Sequence, residues 1–405
     1  MIKRLISRQL ETIMRHGKMA FLSGPRQVGK TTAAREFQKT FSQSLYLNWD
    51  IITDQKKLLK SPYFFEEGNR DPAQPFLVVL DEIHKYARWK NYLKGAYDGY
   101  HRDFRFLVTG SGRLDLFRKG GDSLLGRYLG APLFPLSVGE LSGRLPSWAQ
   151  FQESLRDPPA AKAGTPEAYR GLLRFSGFPE PFLKADARFY NAWFQERKSV
   201  LVREDIRDAA NIRDISLMEI LSHLVPDKVG APLSINSLRE DVGVAFETAR
   251  DWLLLLEQFF YLFRIAPFSG SVARALRKES KVYLYDWVEV PQEGFRFENM
   301  VALHLHKAVQ TWRAMGEGDI GLHYVRDKEK REVDFLLTEK NRPICLIECK
   351  LSDTALSPAL SHYQDRLRVP VAVQLVHAGG ICRKTSRSGA TQWVISADRW
   401  LGILP

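Results

Sequence analysis

The sequence predicts an α/β protein of several domains that opens on a parallel sheet, and three observations carry that prediction. Ser23-Gly24-Pro25-Arg26-Gln27-Val28-Gly29-Lys30-Thr31-Thr32 meets the Gly-x4-Gly-Lys-[Ser/Thr] spacing of a phosphate-binding loop. Up to about residue 140, short apolar runs alternate with helical patterns, the order that buries a parallel sheet between helices. Beyond residue 216 the pattern changes to three helices and a hairpin, then a helix followed by strands.

The loop comes first because it names a ligand class, a nucleoside triphosphate with magnesium. Glycines at 24 and 29 let the backbone turn tightly, so that the N–H groups from Gly24 through Thr32 can converge on phosphate oxygens. Lys30 would reach the β- and γ-phosphates and the Thr31 hydroxyl would ligate the metal. Residues 19–23 read as a buried strand and residues 32–37 as a helix start, which aims a helix N-terminus at the anion. ATP and Mg2+ are therefore the expected cofactors.

The acids of such a site are expected at the end of a neighbouring strand. Phe76-Leu77-Val78-Val79-Leu80-Asp81-Glu82 supplies them, with Asp81 holding magnesium and Glu82 orienting the attacking water. Successive side chains of a strand point to opposite faces, so two adjacent acids can hold two roles. A further strand, residues 104–109, ends in Thr109-Gly110-Ser111, where Ser111 is the first choice and Thr109 the second for sensing the γ-phosphate. Transfer also needs a cation against the developing charge, and Arg127 and Arg113 are the candidates, within one chain or across an interface.

Composition bounds the rest. At roughly 150 residues per domain, 405 residues imply two or three domains, and 44% hydrophobic with 26% charged residues describes an ordinary globular chain. No stretch reaches the ~18 apolar residues of a membrane span, and the first eight residues lack a signal-peptide core, so a cytoplasmic protein with no membrane partner is expected. Three cysteines, Cys345, Cys349 and Cys382, make neither a disulfide framework nor a zinc spacing, and read as buried thiols. A net charge of +12 favours a polyanionic partner, DNA in the first instance, although a merely soluble basic surface gives the same number.

The remaining elements follow in order. Strands are expected at residues 45–49 and 133–136 besides those above, completing a nucleotide-binding core over residues 1–145. Residues 156–166, rich in proline and small side chains, read as a linker; aromatic-rich helices at 169–175 and 187–205 suit a helical lid, giving a segment 146–210. Helices at 217–224, 235–241 and 245–259 and a hairpin of 261–266 with 281–286 have the order of a winged helix-turn-helix over 211–290. Its third helix carries Glu247, Asp251 and Glu257 and is a poor fit to phosphates; the hairpin, with Arg264, Arg274, Arg277, Lys278 and Lys281, is the better candidate for DNA. Residues 291–405 open on a helix at 295–312 and continue with strands at 321–325, 332–337, 343–350 and 369–376.

Through Gly24–Thr32, Leu80-Asp81-Glu82, Leu107-Val108-Thr109-Gly110-Ser111, Ser123-Leu124-Leu125-Gly126-Arg127 and Pro135-Leu136-Ser137, the chain resembles a family of prokaryotic AAA-type ATPases. These join a P-loop domain to a C-terminal domain of unknown function related to PD-(D/E)XK nucleases. The likeness continues through Phe297-Glu298-Asn299, Val333-Asp334-Phe335 and Ile347-Glu348-Cys349-Lys350, and so spans most of the chain. It implies an ATPase core, a winged-helix middle and a restriction-endonuclease-like α/β end.

The last of those motifs has its own geometry. In residues 344–350 the period of two puts Leu346, Glu348 and Lys350 on one face, and a turn at Glu339-Lys340-Asn341-Arg342 would bring Asp334 beside Glu348. Asp334 and Glu348 can bind a hard cation, with Glu298 as a further ligand or an acid just behind the ligands and Lys350 positioning the hydroxide. His304 and His306, two apart on a helix, read as non-ligands. The expected function is a magnesium-dependent ATPase coupled to a nuclease-like, DNA-binding half. The alternative is an ATP-controlled switch, or a protein-interaction ATPase, whose nuclease-like half binds without cutting; a protein partner and an oligomer stay open.

Overall fold

The computed structural model describes residues 2, 4–110, 124–207, 212, 214–269, 279–387 and 389–405, and the chain divides into two compact units, Met1–Phe134 and Pro135–Pro405. In the first unit, β1 (Met19–Ser23), β2 (Gln43–Asn48), β3 (Phe76–Asp81), β4 (Phe104–Thr109) and β5 (Tyr128–Pro132) make one sheet in the order β2-β3-β4-β1-β5. Every pairing in it is parallel. β1 is buried at all positions and β3 at all but its first, which is why both read as unbroken apolar runs. Phe21, Leu47, Val78, Leu80, Phe106 and Val108 pack with Trp89 and Leu93 of the helix Trp89–Tyr100 into one core.

The fifth strand corrects the expectation. It is Tyr128–Pro132, registered on β1 from Met19↔Tyr128 to Ser23↔Pro132, and residues 133–136 follow it. As an edge strand it is only partly buried and tolerates Gly130 and Pro132, so it lacked the apolar run that residues 133–136 displayed.

The second unit begins with helices that include Trp148–Arg156, Thr165–Phe175 and Ala187–Val200, the last continuing as a π-helix through Leu201–Ile206. Ser147 and Gln150 form a capping box on the first of these. Helices Ile215–Leu224, Ile235–Val242 and Phe246–Gln258 lead into an antiparallel pair, β6 (Leu262–Ile265) and β7 (Lys281–Leu284). The long helix Glu293–Ala314 docks on β7 through Asn299, whose amide donates to the Leu284 carbonyl and accepts its N–H, both at 2.8 Å. Asn299 thereby satisfies backbone groups that a missing neighbour strand would otherwise take.

Behind that helix stands a six-stranded mixed sheet: β8 (Ile320–Arg326), β9 (Glu332–Glu339), β10 (Arg342–Lys350), β11 (Val371–Val376), β12 (Cys382–Arg387) and β13 (Ala390–Ser396), in the order β12-β13-β11-β10-β9-β8. β10, β11 and β13 run parallel, and the other neighbours are antiparallel. Lys340 and Asn341, both at positive φ, form the two-residue turn between β9 and β10, a backbone that matches the right-handed twist of the strands. Of the three thiols only Cys345 is buried as expected; Cys349 is half-buried, and Cys382 is exposed on the edge strand β12. His304 and His306 are packing residues, the first accepting the Val138 N–H at 3.1 Å and the second stacked on Phe263. Among the described residues no helix is long and apolar enough to cross a membrane.

Candidate functional site

The phosphate-binding loop leaves β1 at Gly24, turns at Gln27 (φ 63°) and closes at Gly29 (φ 95°) before the helix Lys30–Gln38. Gly24 is required by a close approach: a Cβ there would stand 2.3 Å from the Leu133 carbonyl oxygen. No side chain caps the helix, so its first N–H groups and the positive end of its dipole are left to an anion. The Lys30 ammonium lies folded on the loop, 3.0 Å from the Gly24 carbonyl and 2.9 Å from that of Pro25. Val28 is fully buried beneath, and Arg4 donates to its carbonyl at 2.8 Å.

Opposite the loop, Asp81 is completely buried and accepts three hydroxyls: Thr31 at 2.9 Å, Tyr46 and Thr109. Sheet order explains the last of these. β4 lies between β1 and β3, so the end of β4 carries Thr109 to the end of β3. Tyr46 comes from β2 with the Arg35 guanidinium 3.1 Å from its ring centre, and burial, then Asp81, hold its phenol above the ordinary range. A threonine hydroxyl touching a buried carboxylate is a hard-oxygen set that fits Mg2+. Thr109 donates to Asp81 and accepts from the Glu82 N–H, so it sits at the junction of the two acids. Ser111 and Arg113 lie outside the described residues.

Glu82 follows with a left-handed backbone (φ 55°), a conformation that costs energy for a non-glycine residue and gathers at functional sites. Its carboxylate is 3.7 Å from both His84 Nε2 and Lys85 Nζ. Burial raises its pKa, against the opposing pull of Lys30 and Lys85. The loop thus sets a lysine and a threonine–aspartate pair near a glutamate whose pKa burial raises.

Arg127 is not brought to this loop. It makes a two-pronged ion pair with Asp98, at 2.7 and 3.0 Å, and its carbonyl accepts the Met19 N–H at the start of β1. The loop leaves the other end of that strand, roughly 15 Å away at ~3.3 Å per residue.

Residues 16–142 match the family model of an AAA domain. The N-terminal unit is thus similar to an AAA domain. Residues 166–287 and 293–396 match two domains of unknown function, DUF8612 and DUF4143. Uncharacterized proteins of Mycobacterium bovis and Mycobacterium tuberculosis are each 22% identical over 341 residues, which is 79% of this chain and 70% of theirs. Among solved structures, a Walker-type ATPase of Pyrococcus abyssi superposes with a TM-score of 0.42 at 14% identity, over 72% of this chain and 95% of that one. AMPPCP-bound DnaA from Aquifex aeolicus does so at 0.29 and 12%, over 63% and 86%.

Outside the AAA-type domain, the second acidic cluster assembles in the second unit. The register of β9 on β10 runs to Ile347↔Phe335, and the Cys349 N–H donates to Asp334 Oδ2 at 2.9 Å. Lys350 Nζ stands 2.8 Å from Glu348 Oε1. Asp334, Glu348 and Lys350 do converge.

What joins them was not expected. Lys281, fully buried on β7, places its ammonium 2.6 Å from Glu332 Oε1, 3.2 Å from Glu298 Oε1 and 3.5 Å from Asp334 Oδ1. Tyr283, two residues on and hence on the same face, donates to Glu298 Oε1 at 2.6 Å. Burial alone would lower the Lys281 pKa, but the sum of Glu298, Asp334 and Glu332 raises it, so the group is charged. One expectation is corrected here: Lys281 does not face solvent as a DNA contact would, because carboxylates enclose it. Glu298 is held by Lys281 and Tyr283 of β7. Arg264 of the same hairpin is paired with Glu257 at 2.5 Å, and Arg274, Arg277 and Lys278 lie outside the described residues.

As arranged, these residues do not fit a divalent cation. An ammonium already bridges three of the carboxylates, and among the described residues no group of three or more His, Cys, Asp or Glu is set to hold a metal ion. Reading the sequence alone missed Tyr46, Tyr283 and Glu332. The signal for Glu332 was present: it stands two residues before Asp334 and shares its face.

Proposed function

We propose that the AAA-type domain binds ATP with magnesium and hydrolyses it. The observation that carries this reading is the fully buried Asp81 in contact with the Thr31 hydroxyl, across from a glycine-lined loop. Thr31 and Asp81 would hold the metal, whose charge neutralises the phosphates. Lys30 exchanges its two loop carbonyls for β- and γ-phosphate oxygens, and the helix N-terminus receives the remaining charge. Glu82 accepts a hydrogen bond from the attacking water and orients it; a raised pKa suits a group that takes up a proton near neutrality. Ser111 as γ-phosphate sensor, and Arg127 or Arg113 acting across an interface, complete the reading. Phosphate release by the purified chain, compared with Lys30→Ala and Glu82→Gln, tests it; equal rates in all three would end it.

For the second half the reading is a switch that binds without cutting, with domains at 146–210, 211–290 and 291–405. Three helices followed by a hairpin support a winged helix-turn-helix. A helix leading into antiparallel β8, β9 and β10, with β11 returning parallel after the helix Pro358–Leu367, supports a nuclease-like sheet. The Lys281 contacts favour binding over cleavage, and the +12 charge favours DNA as the partner. Labelled DNA titrated at two salt concentrations and incubated with Mn2+ decides between them: retention that weakens with salt and no cut product is expected, whereas cut product lost in Asp334→Ala would restore the nuclease.

A further inference from the structure

We propose that Lys281 is the resident cation of the Glu298, Glu332 and Asp334 cluster, which therefore takes up no divalent metal and serves to staple strand β7 to the mixed sheet. The inference concerns the second unit alone and does not depend on ATP hydrolysis.

Three features of the cluster argue for it. Lys281 Nζ has three N–H donors and three carboxylates within 3.5 Å to receive them, with its side chain fully excluded from water. The strand that delivers it is fixed at two further points, Tyr283 on Glu298 and Leu284 on Asn299, so the ammonium is held by its backbone as well as by charge. Each carboxylate is also committed elsewhere: Glu332 to Arg326 at 3.0 Å, Asp334 Oδ2 to the Cys349 N–H, and Glu298 to Tyr283. A metal would have to displace the ammonium from all three carboxylates, against the strong penalty for an unpaired buried charge. Among the acids gathered here, Glu348 Oε2 is the buried oxygen without a hydrogen-bond partner, and one carboxylate oxygen does not make a divalent site.

The two alternatives predict opposite signs. In a site built for a metal, the empty carboxylates repel one another, so neutralising one stabilises the metal-free protein; in a cluster built on Lys281, neutralising one removes a partner and destabilises it. The experiment uses the full chain without nucleotide. Thermal unfolding in EDTA of wild type, Asp334→Asn, Glu332→Gln and Lys281→Met is followed by titration with Mn2+ alone. Lower Tm by several degrees in both acid variants, and no saturable Mn2+ uptake that separates wild type from Asp334→Asn, are the expected results. A higher Tm in either acid variant, or Mn2+ bound by wild type and lost in Asp334→Asn, would overturn the proposal. Lys281→Met, where it folds, gains Mn2+ uptake that a further Asp334→Asn removes, and failure to gain it counts against the proposal; the acid variants decide the matter where it does not fold.

Discussion

Asp81 and Asp334 are both carboxylates at a strand of an α/β sheet, yet their surroundings balance them in opposite ways. Asp81 is surrounded by hydroxyls, from Thr31, Tyr46 and Thr109, which orient it without cancelling its charge. Asp334 faces an ammonium that it shares with Glu298 and Glu332. Neutral hydroxyls hydrogen-bond a carboxylate without adding an opposite charge, while a buried lysine adds one. The comparison teaches that acid residues alone do not distinguish a site from a staple; the charge of the partners does.

The largest effect that can break this comparison is on folding. Lys281→Met leaves three buried carboxylates facing each other and is expected to cost about 3–5 kcal/mol in urea unfolding; unchanged stability would show that the cluster does not need its lysine. Next comes the rate. Lys30→Ala and Glu82→Gln should lower phosphate release by about 10²–10³-fold, with Glu82→Gln still retaining nucleotide in a binding assay. A smaller effect sharpens the role of the hydroxyls. Thr109→Val removes one donor from a buried carboxylate and should cost about 1–3 kcal/mol, read as a lowered urea midpoint, without abolishing nucleotide binding.

The smallest is a pH slope. Burial, and then Asp334, push Glu348 up to about 7, so the folded protein favours its protonated form. The stability from that preference is complete below the ordinary carboxylate pKa of 4.5 and is lost as pH rises through about 7. Unfolding measured from pH 5 to 8 should show that decline, and Glu348→Gln should flatten it.

The legible parts of the molecule were those whose chemistry is local. Gly24, Gly29 and Lys30 are fixed by spacing along one loop, and Asp81-Glu82 by the end of one apolar strand. Asp334 and Glu348 needed only a period of two and a short turn, and Lys340-Asn341 supplies that turn. What could not be read is set by contacts between distant segments. Lys281 meets Asp334 across 53 positions, and in the sequence it looks like one more base in a basic hairpin. Tyr46 reaches Asp81 only because β2 lies beside β3. β12, exposed at every position and carrying Arg383, Lys384 and Arg387, has none of the alternation that marks a strand; charge on an edge is how a sheet avoids pairing with another.

The absent Cβ of Gly24 has a mechanical consequence. With the Leu133 carbonyl oxygen occupying the space that any side chain would need, the phosphate loop and the exit of β5 share one clearance, two residues before the second unit begins at Pro135. Any residue with a side chain at position 24 would have to move the Leu133 peptide, so the loop keeps its approach to the exit of β5 only with glycine there.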